Sequence, residues 1–131
     1  MRGKLVFDAS AIINCVAQGK ARLLVDGYTV ELVKYEIGNY LWKRVRLRRD
    51  LDEDAAIRAL DTLLKLVENM RILPVDLREA LRLAVEEGIT LYDAAYLQAA
   101  ISSEAGLVTD DERLYSAARR HVTTLKSVEL Q

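Results

Sequence analysis

The fold class is indicated by the stretch Lys4-Leu5-Val6-Phe7-Asp8-Ala9-Ser10-Ala11-Ile12-Ile13 near the start of the chain. Residues 4–7 form a short, largely apolar run, which is typical of a buried strand. Residues 9–17 then place apolar side chains at helical spacing, and a single acidic residue, Asp8, separates the two elements. A strand that passes directly into a helix indicates an α/β protein.

The same alternation recurs along the chain. Further strands are predicted at 29–33, 71–75, 106–109 and 122–125, and further helices at 35–49, 56–67, 77–87, 90–104 and 111–120. The only proline, Pro74, belongs at a sheet edge or a strand end, because it has no N–H for a ladder bond. We therefore predict a three-layer α/β/α domain with a mostly parallel central sheet, formed by residues 1–131 as a single domain.

The composition argues against several classes of protein. Hydrophobic residues make up 51% and charged residues 30% of the 131 positions, as in ordinary globular domains, and no apolar run approaches the ~20 residues that cross a bilayer. The single cysteine, Cys15, cannot form an internal disulfide, so we expect a buried thiol and a cytoplasmic location. One histidine, His121, is too few for zinc sites of Cys and His and argues against a Ser-His-Asp mechanism.

Four acidic residues lie at or near predicted helix starts. Asp8, Glu36 and Asp111 each follow a predicted strand, and the carboxyl ends of parallel strands share one edge of a sheet. Asp93 joins them if its helix packs beside that edge. Carboxylates brought together repel unless a cation lies between them, and oxygen ligands favour Mg²⁺ or Mn²⁺. Such a metal activates water and stabilises charge that develops on a phosphate.

Each acid also has an ordinary structural interpretation. Acidic residues at helix starts accept hydrogen bonds from free backbone N–H groups, and for any one of the four this capping role is the commoner one. Asp93, the third residue after Thr90, matches the reciprocal acid of a capping box. The prediction of a metal site therefore rests on the four acids taken together.

Four segments resemble the motifs of the PIN-domain family. Phe7-Asp8-Ala9-Ser10 resembles its opening D-x-S motif, and Tyr35-Glu36-Ile37-Gly38-Asn39 resembles its E-x-x-N motif. Thr90-Leu91-Tyr92-Asp93-Ala94-Ala95-Tyr96 is similar to the T-x-Y-D-A-x-Y segment of VapC-type toxins, and 107–114 resembles the closing T-x-D-x-x-L motif. The four motifs occur in the family's order and cover nearly the whole chain.

The resemblance implies a PIN fold and a toxin that is a divalent-metal-dependent endoribonuclease. Such an enzyme hydrolyses RNA phosphodiesters with a water activated by Mg²⁺ or Mn²⁺, and it is often a homodimer inhibited by a cognate antitoxin protein. Carried over by position, the catalytic and metal-binding residues are Asp8, Glu36, Asp93 and Asp111, and the supporting residues are Ser10, Asn39 and Thr109. The T-x-D spacing favours Asp111 as the last ligand, with its neighbour Asp110 supporting the site or exposed.

One basic run and two apolar features have more than one interpretation. Lys43, Arg44 and Arg48 are candidate RNA-binding residues, with Arg44 and Arg48 on one helical face. The run is equally explained as a solvated helix end, or as a surface for the antitoxin. Trp42 fits partial core burial, base stacking or a dimer interface. The apolar helix 56–67 fits the core better than a groove for an antitoxin helix.

Two other functions are compatible with acids at strand ends. A receiver-like phospho-acceptor domain binds Mg²⁺ in this way, and Lys126 offers its required lysine, but the strand at 71–75 comes too late for that pattern. A non-catalytic PIN-like binding module, in which the acids serve only as helix caps, also fits. Phosphate-cradling Gly-rich loops are absent from the sequence, which argues against a nucleotide-binding enzyme.

Overall fold

The central sheet consists of parallel strands. The structure, a computed structural model, describes residues 3–131, and Met1 and Arg2 lie outside the described residues. Within this range five strands pair in the order β3-β2-β1-β4-β5, and every pair is parallel. The strands are β1 Leu5–Phe7, β2 Tyr28–Val30, β3 Arg71–Leu73, β4 Gly106–Val108 and β5 Thr124–Leu125.

Helices cover both faces of this sheet, so the predicted three-layer α/β/α class is confirmed. They are α1 Ala9–Ala17, α2 Val33–Arg46, α3 Glu53–Glu68, α4 Leu77–Glu87, α5 Leu91–Ser102 and α6 Glu112–Ala118. Two short 3₁₀ turns, Ala21–Leu24 and Ser127–Glu129, complete the described elements. Among residues 3–131 no helix combines the length and apolarity that crossing a membrane requires.

The strand order places a topological switch beside the central strand. The chain passes from β1 to β2 and β3 on one side, and then returns to add β4 and β5 on the other side of β1. Phe7 at the end of β1 pairs with Val108 at the end of β4, and both are buried. Asp8 and Thr109 therefore leave the sheet side by side, at the position where open α/β sheets bind ligands.

Most of the predicted elements are confirmed, but several boundaries differ, and both ends of the second predicted helix (35–49) are wrong. Pro74 directly follows β3, which is an edge strand, and Cys15 is fully buried in the core, as predicted. The prediction placed Val33 at the end of a strand, but it is the first residue of α2. Val33, Ile37 and Leu41 are all buried, so the four-residue stripe of this helix begins at Val33.

The predicted capping box at the start of α4 is half correct. The Asp76 carboxylate accepts hydrogen bonds from the backbone N–H groups of Arg78 and Glu79, at 3.1 and 3.2 Å. The N–H of Asp76 donates to Gln98 Oε1 of α5, at 2.8 Å, and the Glu79 carboxylate pairs with Arg82 instead. A buried glutamine from another helix thus takes the place of the reciprocal acid, and it joins α4 to α5.

Hydrogen bonds and ion pairs join the C-terminal end of α4 to the segment after α6. Glu87 accepts hydrogen bonds from the Arg120 guanidinium, and its other oxygen lies 2.8 Å from His121 Nε2. These two partners lower the pKa of Glu87, with the Arg120 hydrogen bond as the largest cause. An acid at a helix C-terminus interacts unfavourably with the helix dipole, so the pairing offsets that penalty.

Replacing this acid should weaken the fold in a pH-dependent way. We expect Glu87→Gln to lower the Tm by a few degrees at pH 7, and by no more than that because pairs near the surface contribute little. Since the folded-state pKa of Glu87 is lowered, the parent loses this stabilisation as the pH falls through that pKa. The Tm difference should therefore shrink below about pH 4.

Thermal unfolding followed by circular dichroism between pH 3 and pH 8 measures this difference. Glu86→Gln is the matched control, because Glu86 is the exposed residue of α4 just before Glu87 and has no ion pair among the described residues. Equal Tm values for Glu87→Gln and the parent at pH 7 would contradict the assignment.

Candidate metal centre

Asp8 is held rigidly at the switch point between β1 and β4. It is the N-cap of α1, and its Oδ1 accepts from the Ala11 N–H at 2.8 Å and from Ser10 Oγ at 2.7 Å. Its Oδ2 accepts from the Thr109 hydroxyl. The side chain is only 5% exposed. The capping interpretation is thus correct for Asp8, and the predicted supporting hydroxyls of Ser10 and Thr109 both contact this acid.

Asp111 is joined to the same cluster through Thr109. It is the N-cap of α6, and its Oδ1 accepts from the Leu114 N–H at 2.9 Å. Its own N–H donates to Thr109 Oγ1 at 3.1 Å, and that hydroxyl donates to Asp8. One hydroxyl therefore fixes both acids relative to each other, although they lie about 100 residues apart in the chain.

Glu36 and Asp93 have carboxylates that are not used as helix caps. Glu36 lies in the first turn of α2, and its Oε1 accepts from Tyr96 Oη at 2.6 Å. Asp93 lies in the first turn of α5, where Thr90 Oγ1 accepts from the Asp93 N–H at 3.1 Å. The reciprocal half of the predicted capping box is missing, since the Asp93 carboxylate has no hydrogen bond to any described residue. Its charge is free for another partner.

All four acids line one pocket at the carboxyl edge of the sheet. The pocket has a volume of about 210 Å³. Its lining consists of Asp8, Ala9, Ser10, Glu36, Asn39, Tyr40, Lys43, Asp93 and Asp111. The helix α5 does pack beside this edge, which was the condition for Asp93 to join the other acids. Asn39 lies in the same pocket as Glu36, as its three-residue spacing predicts.

Asp110 does not line this pocket. Its carboxylate accepts from Asn14 Nδ2 at 2.7 Å, and from the N–H and hydroxyl of Ser127 at 2.9 and 2.6 Å. Its backbone N–H donates to Ser10 Oγ at 3.0 Å. Burial alone would raise the pKa of Asp110, but the hydrogen bonds from Ser127 and Asn14 lower it. Asp110 therefore anchors the C-terminal segment, whereas Asp111 shares the pocket with the other three acids.

The pocket raises the pKa of three of its acids. Burial raises the pKa of Asp8 from 3.8 to about 6, despite three hydrogen bonds that lower it. Burial, and then the charges of Asp111 and Glu36, raise the pKa of Asp93 to about 6. Burial also raises the pKa of Glu36. The site thus holds negative charge at a cost in free energy, which a cation would offset.

The donor set of the pocket fits a hard divalent cation. It offers carboxylate oxygens, one amide and hydroxyls, with no thiol or imidazole, and such ligands suit Mg²⁺ or Mn²⁺. In the part of the chain that the structure describes, no three acidic, His or Cys side chains converge as closely as the ligands of an ion. Binding therefore requires side-chain adjustment, which is easiest for Asp93 because no hydrogen bond to a described residue restrains its carboxylate.

The basic run differs from its prediction. Helix α2 ends at Arg46, so Arg48 lies beyond it and does not share a helical face with Arg44. The turn that follows the helix brings Asp50 back onto Arg44, whose Nε donates to Asp50 Oδ1 at 2.7 Å. Lys43 alone of the three candidates lines the pocket, and no described acid forms a salt bridge with it.

Tyr96 was missed as a candidate, although it is part of a quoted motif. Its hydroxyl contacts Glu36, and its side chain is 1% exposed. The sequence holds a usable signal, because Tyr96 follows Asp93 by three residues and therefore lies on the same face of a helix. The partner on α2 is 60 residues away and follows only from the packing of the two helices.

A comparison with known families decides which fold family this site belongs to. The model of the family described as "PIN domain" matches residues 5–120, which include all four acids. The chain belongs to the PIN-domain family. The motif resemblance that the sequence shows is thereby confirmed.

Individual relatives of this PIN domain come from two different organisms. The chain is 43% identical over 90 residues to Exonuclease VapC9 of Pyrobaculum aerophilum, a match that spans 69% of this chain and 65% of that relative. It is 34% identical over 121 residues to Ribonuclease VapC3 of the same organism, over 85% of this chain and 92% of the relative. Ribonuclease VapC1 of Mycobacterium tuberculosis is 30% identical over 120 residues, which cover 86% and 89% of the two chains.

Charge crowding in the pocket predicts that Asp93→Asn stabilises the fold. Because the folded state raises the pKa of Asp93 to about 6, it binds this proton more tightly than the unfolded state does, and stability falls as the pH rises from about 4 to 6. Asparagine carries no charge, and the substitution breaks no hydrogen bond of the carboxylate to a described residue. We expect a gain of about 1–2 kcal/mol at pH 7.5, after allowance for partial exposure, and about none at pH 4.

Thermal unfolding in EDTA at both pH values measures this gain. Asp61→Asn is the control, because Asp61 is an exposed acid of α3 outside the pocket. A lower Tm for Asp93→Asn at pH 7.5, or an equal gain at pH 4, would show that the Asp93 charge is not crowded.

Proposed function

We propose that the protein is a divalent-metal-dependent endoribonuclease of the VapC type, in which Asp8, Glu36, Asp93 and Asp111 bind Mg²⁺ or Mn²⁺. The observation that carries the proposal is that four carboxylates from four separate elements line one pocket at the switch point of a PIN fold. Relatives named as ribonucleases, at 30–34% identity over most of the chain, support RNA as the substrate.

The residues of the pocket have distinct tasks in this reaction. Asp8, fixed by three hydrogen bonds, would supply a rigid ligand, and Asp93 would supply one that adjusts. When bound there, Mg²⁺ or Mn²⁺ would lower the pKa of a water and would stabilise negative charge on the phosphate. In the overall hydrolysis the oxygen of water bonds to phosphorus, the P–O bond to the leaving oxygen breaks, and the leaving oxygen takes up a proton, which gives one phosphate end and one hydroxyl end. Lys43, at the rim of the same pocket, offers a cation to the RNA backbone near the scissile phosphate.

Cleavage of a circular single-stranded RNA tests this function and separates endonuclease from exonuclease activity. A circle has no end, so only internal cleavage converts it to a linear product. We expect linearisation in Mn²⁺ or Mg²⁺ and none in EDTA. The cleavage rate should fall at least ~100-fold in Asp93→Asn, because a ligand is removed from the metal.

Lys43→Gln should raise KM more than it lowers kcat, since it removes a contact to the RNA backbone.

The outcomes separate the alternatives. If the linear RNA is degraded from one end while the circle stays intact, the protein is an exonuclease that uses the same acids, and the endonuclease assignment is wrong. An intact circle and intact linear RNA, together with no calorimetric Mn²⁺ binding by the parent, would leave a binding module in which Asp8 and Asp111 serve as helix caps and none of the four acids binds a metal. Asp61→Asn, outside the pocket, should cleave as the parent does.

The proposal includes an antitoxin, for which the groove between α2 and α3 is the proposed surface. This groove has a volume of about 410 Å³, and its apolar lining includes Leu41, Trp42, Val45, Ile57 and Leu60. Trp42 is 51% exposed and Ile57 is 52% exposed. An amphipathic helix of the antitoxin would bury these side chains, as helices do in other hydrophobic grooves.

The proposal also includes a homodimer, and α4 offers the surface for a second copy. Leu77, Leu81 and Val85 are 64%, 56% and 76% exposed, and their four-residue spacing places them on one face of α4. This face is symmetric about Leu81. A twofold antiparallel pair of α4 helices would place Leu77 opposite the partner's Val85 and Leu81 opposite the partner's Leu81, as a closed dimer requires.

We expect Leu81→Glu to convert a dimer to a monomer, because it places two charges against each other at the centre of this face. Light scattering after size-exclusion chromatography measures the mass. Val128→Glu is the matched control, because Val128 is 70% exposed but lies on the C-terminal 3₁₀ turn. A parent that is monomeric at high concentration, or a Leu81→Glu variant that remains dimeric, would contradict this surface.

A further inference from the structure

Tyr96 presents the only phenol hydroxyl that contacts an acid of the pocket, among the residues that the structure describes. The residue lies on α5, one helical turn after Asp93, and its ring is buried among the core side chains. A buried tyrosine hydroxyl usually has a hydrogen-bond partner, and most side-chain hydrogen bonds in proteins go to the backbone or to water. Tyr96 instead donates to Glu36 Oε1, across to α2, at 2.6 Å.

This hydrogen bond restrains the long, flexible side chain of Glu36. Glu36 has three side-chain torsions, and its carboxylate caps no helix, so the Tyr96 hydrogen bond is the contact that fixes one of its oxygens within the described residues. The other oxygen, Oε2, accepts no hydrogen bond from a described residue. The short distance is typical of a hydrogen bond to a charged acceptor. The contact therefore selects one carboxylate orientation and leaves one oxygen for a ligand.

We propose that Tyr96 is a positioning residue, which orients Glu36 for the divalent ion by holding Oε1. The inference rests on the proposed function, because it assumes that Glu36 binds the ion. It assigns to the core tyrosine a role in metal affinity, and it distinguishes the two tyrosines of the segment Tyr92-Asp93-Ala94-Ala95-Tyr96. Tyr92 is 59% exposed and contacts none of the four acids through a hydrogen bond, whereas Tyr96 is buried and contacts Glu36.

Removing the hydroxyl alone should weaken metal binding while the fold remains intact. Tyr96→Phe keeps the ring that fills the core and deletes only the donor to Glu36. Partners that orient metal ligands typically contribute about 10- to 100-fold in metal affinity, so we expect a loss of about 10-fold or more in the Mn²⁺ association constant. Tyr92→Phe, one turn earlier on α5, removes an exposed hydroxyl and should bind Mn²⁺ as the parent does.

Calorimetric titration with Mn²⁺ measures these affinities, and thermal unfolding in EDTA shows whether each variant is folded. Cleavage as a function of Mn²⁺ concentration adds a second criterion. If Tyr96 acts through Glu36, the activity of Tyr96→Phe should recover at high Mn²⁺, which a general structural defect would not do. In a Glu36→Gln background, Tyr96→Phe should cause little further loss of affinity, because the acid that it orients is already altered.

Each result has a defined consequence. A parent that fails to bind Mn²⁺ would overturn the proposed function itself. A parent that binds, with Tyr96→Phe binding equally well, would overturn the positioning role alone. If Tyr96→Phe does not fold, 3-fluorotyrosine at position 96 reports on the intact protein. Its ¹⁹F resonance should then shift during Mg²⁺ titration, with the affinity that calorimetry with Mg²⁺ gives for the same protein, and an unshifted resonance would overturn the role.

Discussion

The buried carboxylate of Asp8 is the constraint on which the rest of the site depends. Its position at the end of the central strand, next to Thr109 at the end of β4, follows from the pairing of Phe7 with Val108. Burying a charge in this way is unfavourable unless its oxygens receive hydrogen bonds. The Ser10 and Thr109 hydroxyls and one backbone N–H of α1 provide them, so the same contacts stabilise the fold and orient the acid.

The other three acids differ in how firmly hydrogen bonds hold them near Asp8. Asp111 is fixed as a helix cap and through Thr109, and Glu36 is held by the hydroxyl of Tyr96. Asp93 is restrained only by its position on α5. Three of the four have raised pKa values, so their negative charges in the pocket lower the stability of the folded state. A divalent cation bound in the pocket would offset that repulsion.

The sequence was sufficient for the fold class, because strand and helix patterns are local, whereas the place of Asp93 in the pocket depended on the packing of α5. Strand-to-helix transitions predicted that Asp8 and Asp111 lie at one edge of a parallel sheet. Partners that are distant in sequence were not predictable: Gln98 displaces the reciprocal acid of the α4 cap, and Tyr96 reaches Glu36 across two helices. The end of α2 was also missed, because the turn that binds Asp50 to Arg44 has no apolar pattern.

The location of a bound Mn²⁺ ion shows directly whether the four acids form the metal site. Crystals grown with Mn²⁺ and measured at a wavelength where manganese scatters anomalously would show the ion without reference to activity. We expect an anomalous peak in the pocket, within about 2–2.5 Å of carboxylate oxygens of Asp8, Asp93 and Asp111, with Glu36 as a direct or water-mediated ligand. A peak only at other acids, such as Asp110, or no peak in this pocket at millimolar Mn²⁺, would contradict it.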